Sequence, residues 1–357
     1  MTVVEPAVTV GLEDKLVTAA TGALEIFSIH LGRRLGLYQA LAEAPRTAPE
    51  LGQAAGVDAR YAREWLEQQA VAGFVLVDDT GAAPDDRRYR LDEHAIAVFT
   101  AAEDPRHVSP LADIVAGIGG ALDKVAAAYR SGEGVSFADY GPHLMEGQGA
   151  INRPAFVHDL VSLWIGSIDG LLDRLTSGGA IADLGCGVGW ASIAMAAQIP
   201  GANVIGWDAD PASIETARRN AEQAGVGVRF ELANAAAMAE EGPFDLVTIL
   251  EALHDMANPV EVLQAAAAVL ADGGLVLVAD EKVADEFTAP GDELERMMYG
   301  WSITHCLPAA RSERPSAALG TVLRAPVVRE LGKAAGFGSV ETLDVDAGFF
   351  QLHVLRK

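Results

Sequence analysis

The chain has 357 residues and a formal net charge of −24; half of its residues are hydrophobic and 21% are charged. That length points to about two globular domains with sizeable cores. No apolar run reaches the roughly 18 residues that a membrane span needs, and so acidic a surface disfavours DNA, RNA and anionic membranes as partners.

The first residues carry no basic side chain before Lys15, so they do not read as a secretory signal, and a cytoplasmic protein is expected. Apolar residues at helical spacing, Leu24, Phe27, Leu31, Leu35, Tyr38 and Leu41, predict a helix over residues 21–43. Thr47 and Glu50 form a capping-box pair with Pro49 in the first turn, opening a short helix that Gly56 should end. Asp58 can cap a third helix carrying Tyr61, Trp65 and Leu66. The run Phe74 to Val77, a turn-rich stretch and Tyr89-Arg90-Leu91 then suggest a hairpin. Helix, helix, turn, helix, hairpin is the order of a winged helix, expected over residues 1–100. Those residues hold nine Lys and Arg against fifteen Asp and Glu. Phosphate contacts need a basic face, so helix packing or dimerisation is the expected use.

Residues 101–174 read as a helical connector contributing to an active site. Its irregular segment, DYGPHLMEGQGAINRP, offers Tyr140 to a substrate pocket. From residue 180, apolar β-type runs alternate with Ala-rich helical segments: Ile181 to Leu184, Val204 to Trp207, Val228 to Leu232, Leu246 to Leu250 and Leu275 to Ala279. This is the pattern of a parallel sheet with helices on both faces, an α/β fold. Val340 to Val345 and Phe350 to Leu355 flank a short Asp-Ala-Gly turn, which predicts an antiparallel terminal hairpin on the sheet edge.

The sharpest motif is Asp183-Leu184-Gly185-Cys186-Gly187-Val188-Gly189-Trp190, between an apolar strand and a helix. Three glycines at alternate positions let the backbone turn sharply and a ligand lie against it, with helix N-terminal amides facing that ligand. Asp208 follows Gly187 by 21 residues, at the end of the next strand, where an acidic side chain can accept ribose hydroxyls. The dinucleotide fingerprint GxGxxG would need glycine where Trp190 stands. Asp183 would repel a pyrophosphate and suits a ligand with an amino group.

On these residues the chain resembles the class I S-adenosylmethionine-dependent methyltransferases, whose first motif reads D/E-x-G-x-G-x-G. The resemblance implies a Rossmann-like seven-stranded methyltransferase sheet over residues 175–357, with a mostly helical winged-helix domain before it. It implies S-adenosyl-L-methionine as cofactor. Gly185, Cys186, Gly187 and Gly189 would lie under the cofactor and Asp183 at its methionine end. Asp208 and Ala209 would be at the ribose, Asn234 and Ala235 at the adenine, and Glu251 is a further cofactor contact. The order of domains resembles plant and bacterial small-molecule O-methyltransferases, which implies a homodimer and a small-molecule methyl acceptor. LGLYQAL, REWLEQQAVAGF, DYGPHLMEGQGAINRP and CLPAARSERPSAALGT are similar to mycobacterial and other actinobacterial winged-helix methyltransferases, so the resemblance spans nearly the whole chain.

Glu251-Ala252-Leu253-His254-Asp255-Met256 follows the fourth strand of the parallel run, and ligands gather at such strand ends. In the similar O-methyltransferases this place reads L-H-D-W and its His is the general base, a role that an imidazole suits. Met256 departs from that pattern, and His254 stands as base, as ligand contact or as a structural residue. Residues 281–325 are expected as a lid insertion whose Met298, Tyr299, Trp301 and His305 line the acceptor pocket or form a buried helix face. Cys186 and Cys306 are too few for a disulfide framework, and no HExxH or paired CxxC is present, so no metal is expected. N- or C-methylation, a metal-dependent methyltransferase of the catechol type, a winged-helix regulator that senses an adenosyl ligand, and a nicotinamide dehydrogenase are the competing readings.

Overall fold

The structure, a computed structural model, describes residues 11–234, 238 and 241–357. Its contacts divide the chain into two compact units, one ending at Ala116 and one running from Gly117 to Lys357. The helices from residue 117 to 176 therefore belong to the same unit as the sheet.

The first unit opens with α1 (Leu12–Arg34) and α2 (Leu37–Glu43), where the spacing predicts one helix. Gly36 between them has φ +68°, a left-handed conformation that glycine adopts without a Cβ clash, and it ends the first helix. The break separates two kinds of apolar residue. Tyr38 and Leu41 are buried, whereas Leu24, Phe27 and Leu31 along α1, and Leu35 just after it, stay exposed. α3 (Ala48–Ala55) begins with the capping box: Glu50 N–H donates to Thr47 Oγ1 at 3.4 Å and Thr47 N–H to Glu50 Oε2 at 2.8 Å. Asp58 accepts from Arg60 and Tyr61 N–H to start α4 (Ala59–Val71). β1 (Leu76–Val77) pairs antiparallel with β2 (Tyr89–Arg90), and α5 (Glu93–Phe99) follows. The core gathers on Tyr38, which stacks on Phe99 at 4.1 Å and meets Trp65 edge-on at 5.0 Å.

α6 (Leu111–Ser131) leads into the second unit. α7 (Gly141–Ala155) continues as a wide helical turn over Phe156–Ile165, and α8 (Leu171–Thr176) precedes the sheet. Strands and helices then alternate: β3 (Ala180–Leu184), α9 (Trp190–Gln198), β4 (Asn203–Asp208), α10 (Pro211–Ala224), β5 (Arg229–Leu232), β6 (Phe244–Leu250), α11 (Pro259–Val269) and β7 (Leu270–Glu281). α12 (Glu293–Trp301), α13 (Leu307–Ala310), α14 (Ala325–Ala334), β8 (Ser339–Thr342) and β9 (Phe350–Arg356) complete the chain. The seven-stranded sheet has the order β5-β4-β3-β6-β7-β9-β8. Its first five members are parallel, and β9 slots antiparallel between β7 and β8, with Val340 opposite Leu355.

Successive strand residues point to opposite faces, and both faces are covered. Ile181, Leu246 and Leu277 pack on one side with Trp164 and Met195. Ala182, Val247 and Val276 pack on the other with Leu263 and Val328. This explains the near-continuous apolar runs, and it sends all five parallel strands toward one edge with their carboxyl ends together. Among the described residues no helix is long and apolar enough to cross a membrane.

Candidate active site

The loop between β3 and α9 is pinned from the neighbouring strand. Gly185 and Cys186 N–H donate to Trp207 O at 2.9 and 3.0 Å, and Gly187 N–H donates to Asp208 Oδ2 at 2.8 Å. Two of its glycines serve different needs. A Cβ at Gly189 (φ +86°) would come 2.7 Å from Phe230 Cζ, so this position lets helix and sheet approach. A Cβ at Gly187 (φ +52°) would meet nothing within 4 Å, which leaves an open backbone face at the strand tips.

That face belongs to a cavity of about 560 Å³ that the Gly187 loop, Asp208, Ala209, Asn234, Glu251 and Asp255 line on the sheet side. Met145, Gln148, Gly149, Asn152 and Phe156 line it from α7 and its continuation. Ala309, Ala310, Ser312 and Glu313 line it from α13 and the residues after it. A volume of this size suits a cofactor-sized ligand in a concave, partly apolar site.

The acidic residues at the strand ends have separate surroundings. Asp183 is buried beneath the loop: Oδ2 accepts from Ser192 Oγ at 2.6 Å and Oδ1 from Thr248 Oγ1 at 2.8 Å. Burial pushes its carboxyl above the ordinary range, and it does not line the cavity. It ties β3 to α9 and β6 instead of presenting itself to a ligand. Asp208 does line the cavity, with Oδ1 accepting from Asp210 N–H at 2.8 Å and Oδ2 from Gly187 N–H. Burial raises its pKa too. Each of its oxygens keeps a lone pair for a further donor. Glu251, at the end of β6, has φ +53° and accepts from Asn152 Nδ2. Burial pushes its carboxyl up to about 7.

His254 sits in the turn Leu253–Asp255 after β6 and is fully buried. Its Nδ1 lies 2.5 Å from Asp280 Oδ1 and 3.4 Å from Glu281 Oε2, both at the end of β7. Its Nε2 lies 3.5 Å from Asp255 Oδ1. Burial pulls the imidazole pKa down, but Glu281, Asp255 and Asp280 outweigh it and hold it well above the ordinary value. His254 does not line the cavity; its neighbour Asp255 does.

Of the other residues singled out in the sequence, Gly185, Cys186, Gly187, Asp208, Ala209, Asn234 and Glu251 line the cavity, and Gly189 supports the loop from behind. Ala235 lies outside the described residues. The acceptor-side candidates lie off the cavity wall. Tyr140 is buried and donates to Thr304 O at 3.0 Å, and His305 packs edge-on against it at 4.6 Å. Met298 is fully buried, Trp301 is half-buried and Tyr299 faces outward near Arg324. α12 spends its apolar face on packing, so the wall passes to Ala309, Ala310, Ser312 and Glu313.

The sequence reading expects the segment of α7 to contribute to the site, but as irregular chain offering Tyr140; the structure makes it a helix that lines the cavity with other residues. Its signal is Met145, Gln148, Gly149, Asn152 and Phe156, spaced as one helical face but mixing apolar and polar types.

A methyltransferase domain model matches residues 175–313, and an Rv2258c-like winged HTH domain model matches residues 22–101. The ubiquinone biosynthesis O-methyltransferase of Cupriavidus pinatubonensis is 37% identical over 125 residues, covering 34% of this chain and 49% of that protein. The chain spans about half the length of the curated relatives it matches. An O-methyltransferase family protein from Burkholderia thailandensis superposes with a TM-score of 0.70 at 18% identity, over 98% of this chain and 99% of that one. Human N-acetylserotonin methyltransferase, solved with S-adenosylmethionine, superposes with a TM-score of 0.65 at 20% identity, over 99% of each chain. At these identities the structural likeness is one of fold. Residues 22–101 thus match an Rv2258c-like winged HTH domain and residues 175–313 a methyltransferase domain, and the chain shares the fold of the methyltransferases on which it superposes.

Proposed function

We propose that the protein transfers a methyl group from S-adenosylmethionine to an oxygen of a small-molecule acceptor. The observation that carries this is the cavity in which the open face of Gly187 meets the Asp208 carboxylate at adjoining strand tips. Asp208 would receive the ribose hydroxyls, with Ala209 beside it. Asn234, whose amide oxygen can accept from the adenine amine, would read the base. Glu251 would face the methionine amino group, while Asp183 holds the loop from beneath. The bound cofactor supplies an electrophilic methyl group on sulfonium, and the chain aligns the acceptor with it and excludes water.

Loss of the acceptor proton would depend on His254. In the simplest form Nε2 of the neutral ring, the minority form beside these carboxylates, takes the proton, with Nδ1–H oriented by Asp280. O-methylation is also the chemistry named for the matching curated proteins. Calorimetry with S-adenosylhomocysteine tests the cofactor reading, and absence of binding by folded protein overturns it. His254→Ala should lower kcat while leaving S-adenosylhomocysteine affinity within about twofold; wild-type turnover would remove His254 from the chemistry.

The protein would act in the cytoplasm as a homodimer, without nucleic-acid partners. The acidic charge supports the last point. For the dimer, α1 presents an outward apolar stripe, Leu16, Leu24, Phe27 and Leu31, that a second copy would cover.

A further inference from the structure

Behind the cavity wall lies a group of buried polar atoms that methyl transfer by a free base does not account for. His254 is fully buried, and its Nε2 has no hydrogen-bond partner. Asp255 Oδ1, Asp280 Oδ2 and Glu281 Oε2 are likewise buried and unpartnered. A buried acceptor without a donor forfeits its hydration with nothing in return. Here three such carboxylate oxygens stand around one imidazole, whose own Nε2 is the fourth unpartnered atom. One imidazole, even charged, offsets only one of three carboxylates, so further positive charge is the missing component.

Ligand atoms of His254, Asp255 and Cys306 all lie within 4.8 Å of one another. His254 Nδ1 is taken by Asp280, so Nε2 is the nitrogen that faces Asp255. An imidazole whose second nitrogen donates to a carboxylate is the usual arrangement of a metal-ligating histidine, because the carboxylate fixes the tautomer and the ring orientation. We propose that His254 Nε2, Asp255 and Cys306 bind a divalent transition-type cation of the zinc class, oriented by Asp280.

The donor set selects the ion. One nitrogen, one carboxylate and one thiolate suit Zn²⁺ or Co²⁺ and disfavour Mg²⁺ and Ca²⁺, which take oxygen ligands. Three protein ligands leave a fourth position for water or substrate, as in catalytic zinc sites. Asp255 also lines the cavity, so the ion would sit where an acceptor oxygen can reach it. This deepens the methyl-transfer reading and rests on it for the acceptor's place: the dependence on His254 would run through the ion, and Nε2 would be a ligand instead of a free base. Sequence motifs do not show the site, because Cys306 joins it from the turn after α12, far along the chain from the His-Asp pair.

The full chain, stripped with a chelator and checked for folding by circular dichroism, is titrated with Co²⁺. One equivalent should bind, with a thiolate-to-cobalt charge-transfer band, and Zn²⁺ should displace it. Cys306→Ser should abolish the band, and Asp280→Asn should weaken affinity about tenfold to a hundredfold. Folded wild-type protein that takes up no cobalt, or takes it up without the thiolate band, overturns the proposal, as does a band that survives in Cys306→Ser. The wild-type spectrum decides alone if that variant does not fold. Binding of S-adenosylhomocysteine is measured separately: its absence with the band intact removes the methyl-transfer reading and leaves the ion, and the reverse removes only the ion.

Discussion

Gly187 and Gly189 stand two residues apart in one loop, yet replacing each with alanine should produce different failures. At Gly189 an alanine must hold φ +86°, and its Cβ would lie 2.7 Å from Phe230 Cζ and 2.9 Å from Ala217 Cβ. The left-handed backbone costs about 1–2 kcal/mol, and overpacking costs about 1–3 kcal/mol, together about 2–5 kcal/mol. For a unit of this size each kcal/mol lowers Tm by about 2–4 °C, so Gly189→Ala should melt roughly 4–20 °C lower. At Gly187, φ is +52° and no heavy atom lies within 4 Å of the added methyl. Only the backbone cost applies, about 1–2 kcal/mol, and Tm should fall by no more than about 8 °C. The methyl would, however, occupy the face over which the cofactor is placed. Differential scanning calorimetry and titration with S-adenosylhomocysteine separate the two. Gly187→Ala should lose most of its affinity with the smaller loss of stability, and Gly189→Ala the reverse. Equal affinities for wild type and Gly187→Ala would refute the placement of the ligand over this loop.

Asp208→Asn removes a charged acceptor that also holds Gly187 N–H and Asp210 N–H. With charge-assisted bonds worth about 1.5–3 kcal/mol, its S-adenosylhomocysteine Kd should rise about tenfold to a hundredfold by calorimetry; an unchanged Kd would exclude the ribose role. Leu24 and Leu31 are 70% and 51% exposed on α1; if they lie at a dimer contact, the double change to Glu should convert a dimer to monomer in sedimentation at micromolar concentration, and an unchanged mass would clear that face. His353, buried in β9 beside Thr342 Oγ1, has its pKa lowered by burial from 6.5 to about 4. The folded state binds the neutral ring, so this contribution is present above pH 6.5 and is lost as pH falls toward 4, up to about 3 kcal/mol. His353→Gln should flatten that part of the pH–stability curve in urea titrations, and an identical slope would contradict the assignment.

The sheet was legible because both its faces are buried. That requirement writes β3, β4, β6 and β7 as near-continuous apolar runs, and glycine and helix signals separate them. Asp208 was legible because a strand end fixes it 21 residues beyond Gly187. Three features were hidden for physical reasons. The break at Gly36 competes with an apolar spacing that continues through it, since Leu35 and Tyr38 keep the helical period while only one of them is buried. α7 lines a cavity, so its inner face mixes Met145 with Gln148 and Asn152 and carries no hydrophobic stripe. The lid candidates Met298 and Trp301 were chosen for apolar character, which marks burial as readily as it marks a ligand wall, and in α12 burial takes Met298 entirely.

The acidic residues show why side-chain chemistry alone does not assign a role. Asp183, Asp208, Glu251 and Asp280 all stand at or near carboxyl ends of neighbouring parallel strands, within one layer of the sheet. Their neighbours differ by hydroxyl, amide, imidazole or open space. Two hydroxyl donors turn Asp183 into a clip between β3, α9 and β6. Backbone donors leave Asp208 with lone pairs toward the cavity. Asn152 from α7 satisfies one oxygen of Glu251. The imidazole of His254 occupies one oxygen of Asp280 and leaves the other unpartnered. A strand end delivers the carboxylate, but the donors that meet it come from other elements, and these decide whether it holds the fold, faces a ligand or orients a histidine. The unpartnered atoms around His254 are where that accounting fails to close with protein donors alone, which is why an ion is sought there and not at Asp183 or Asp208.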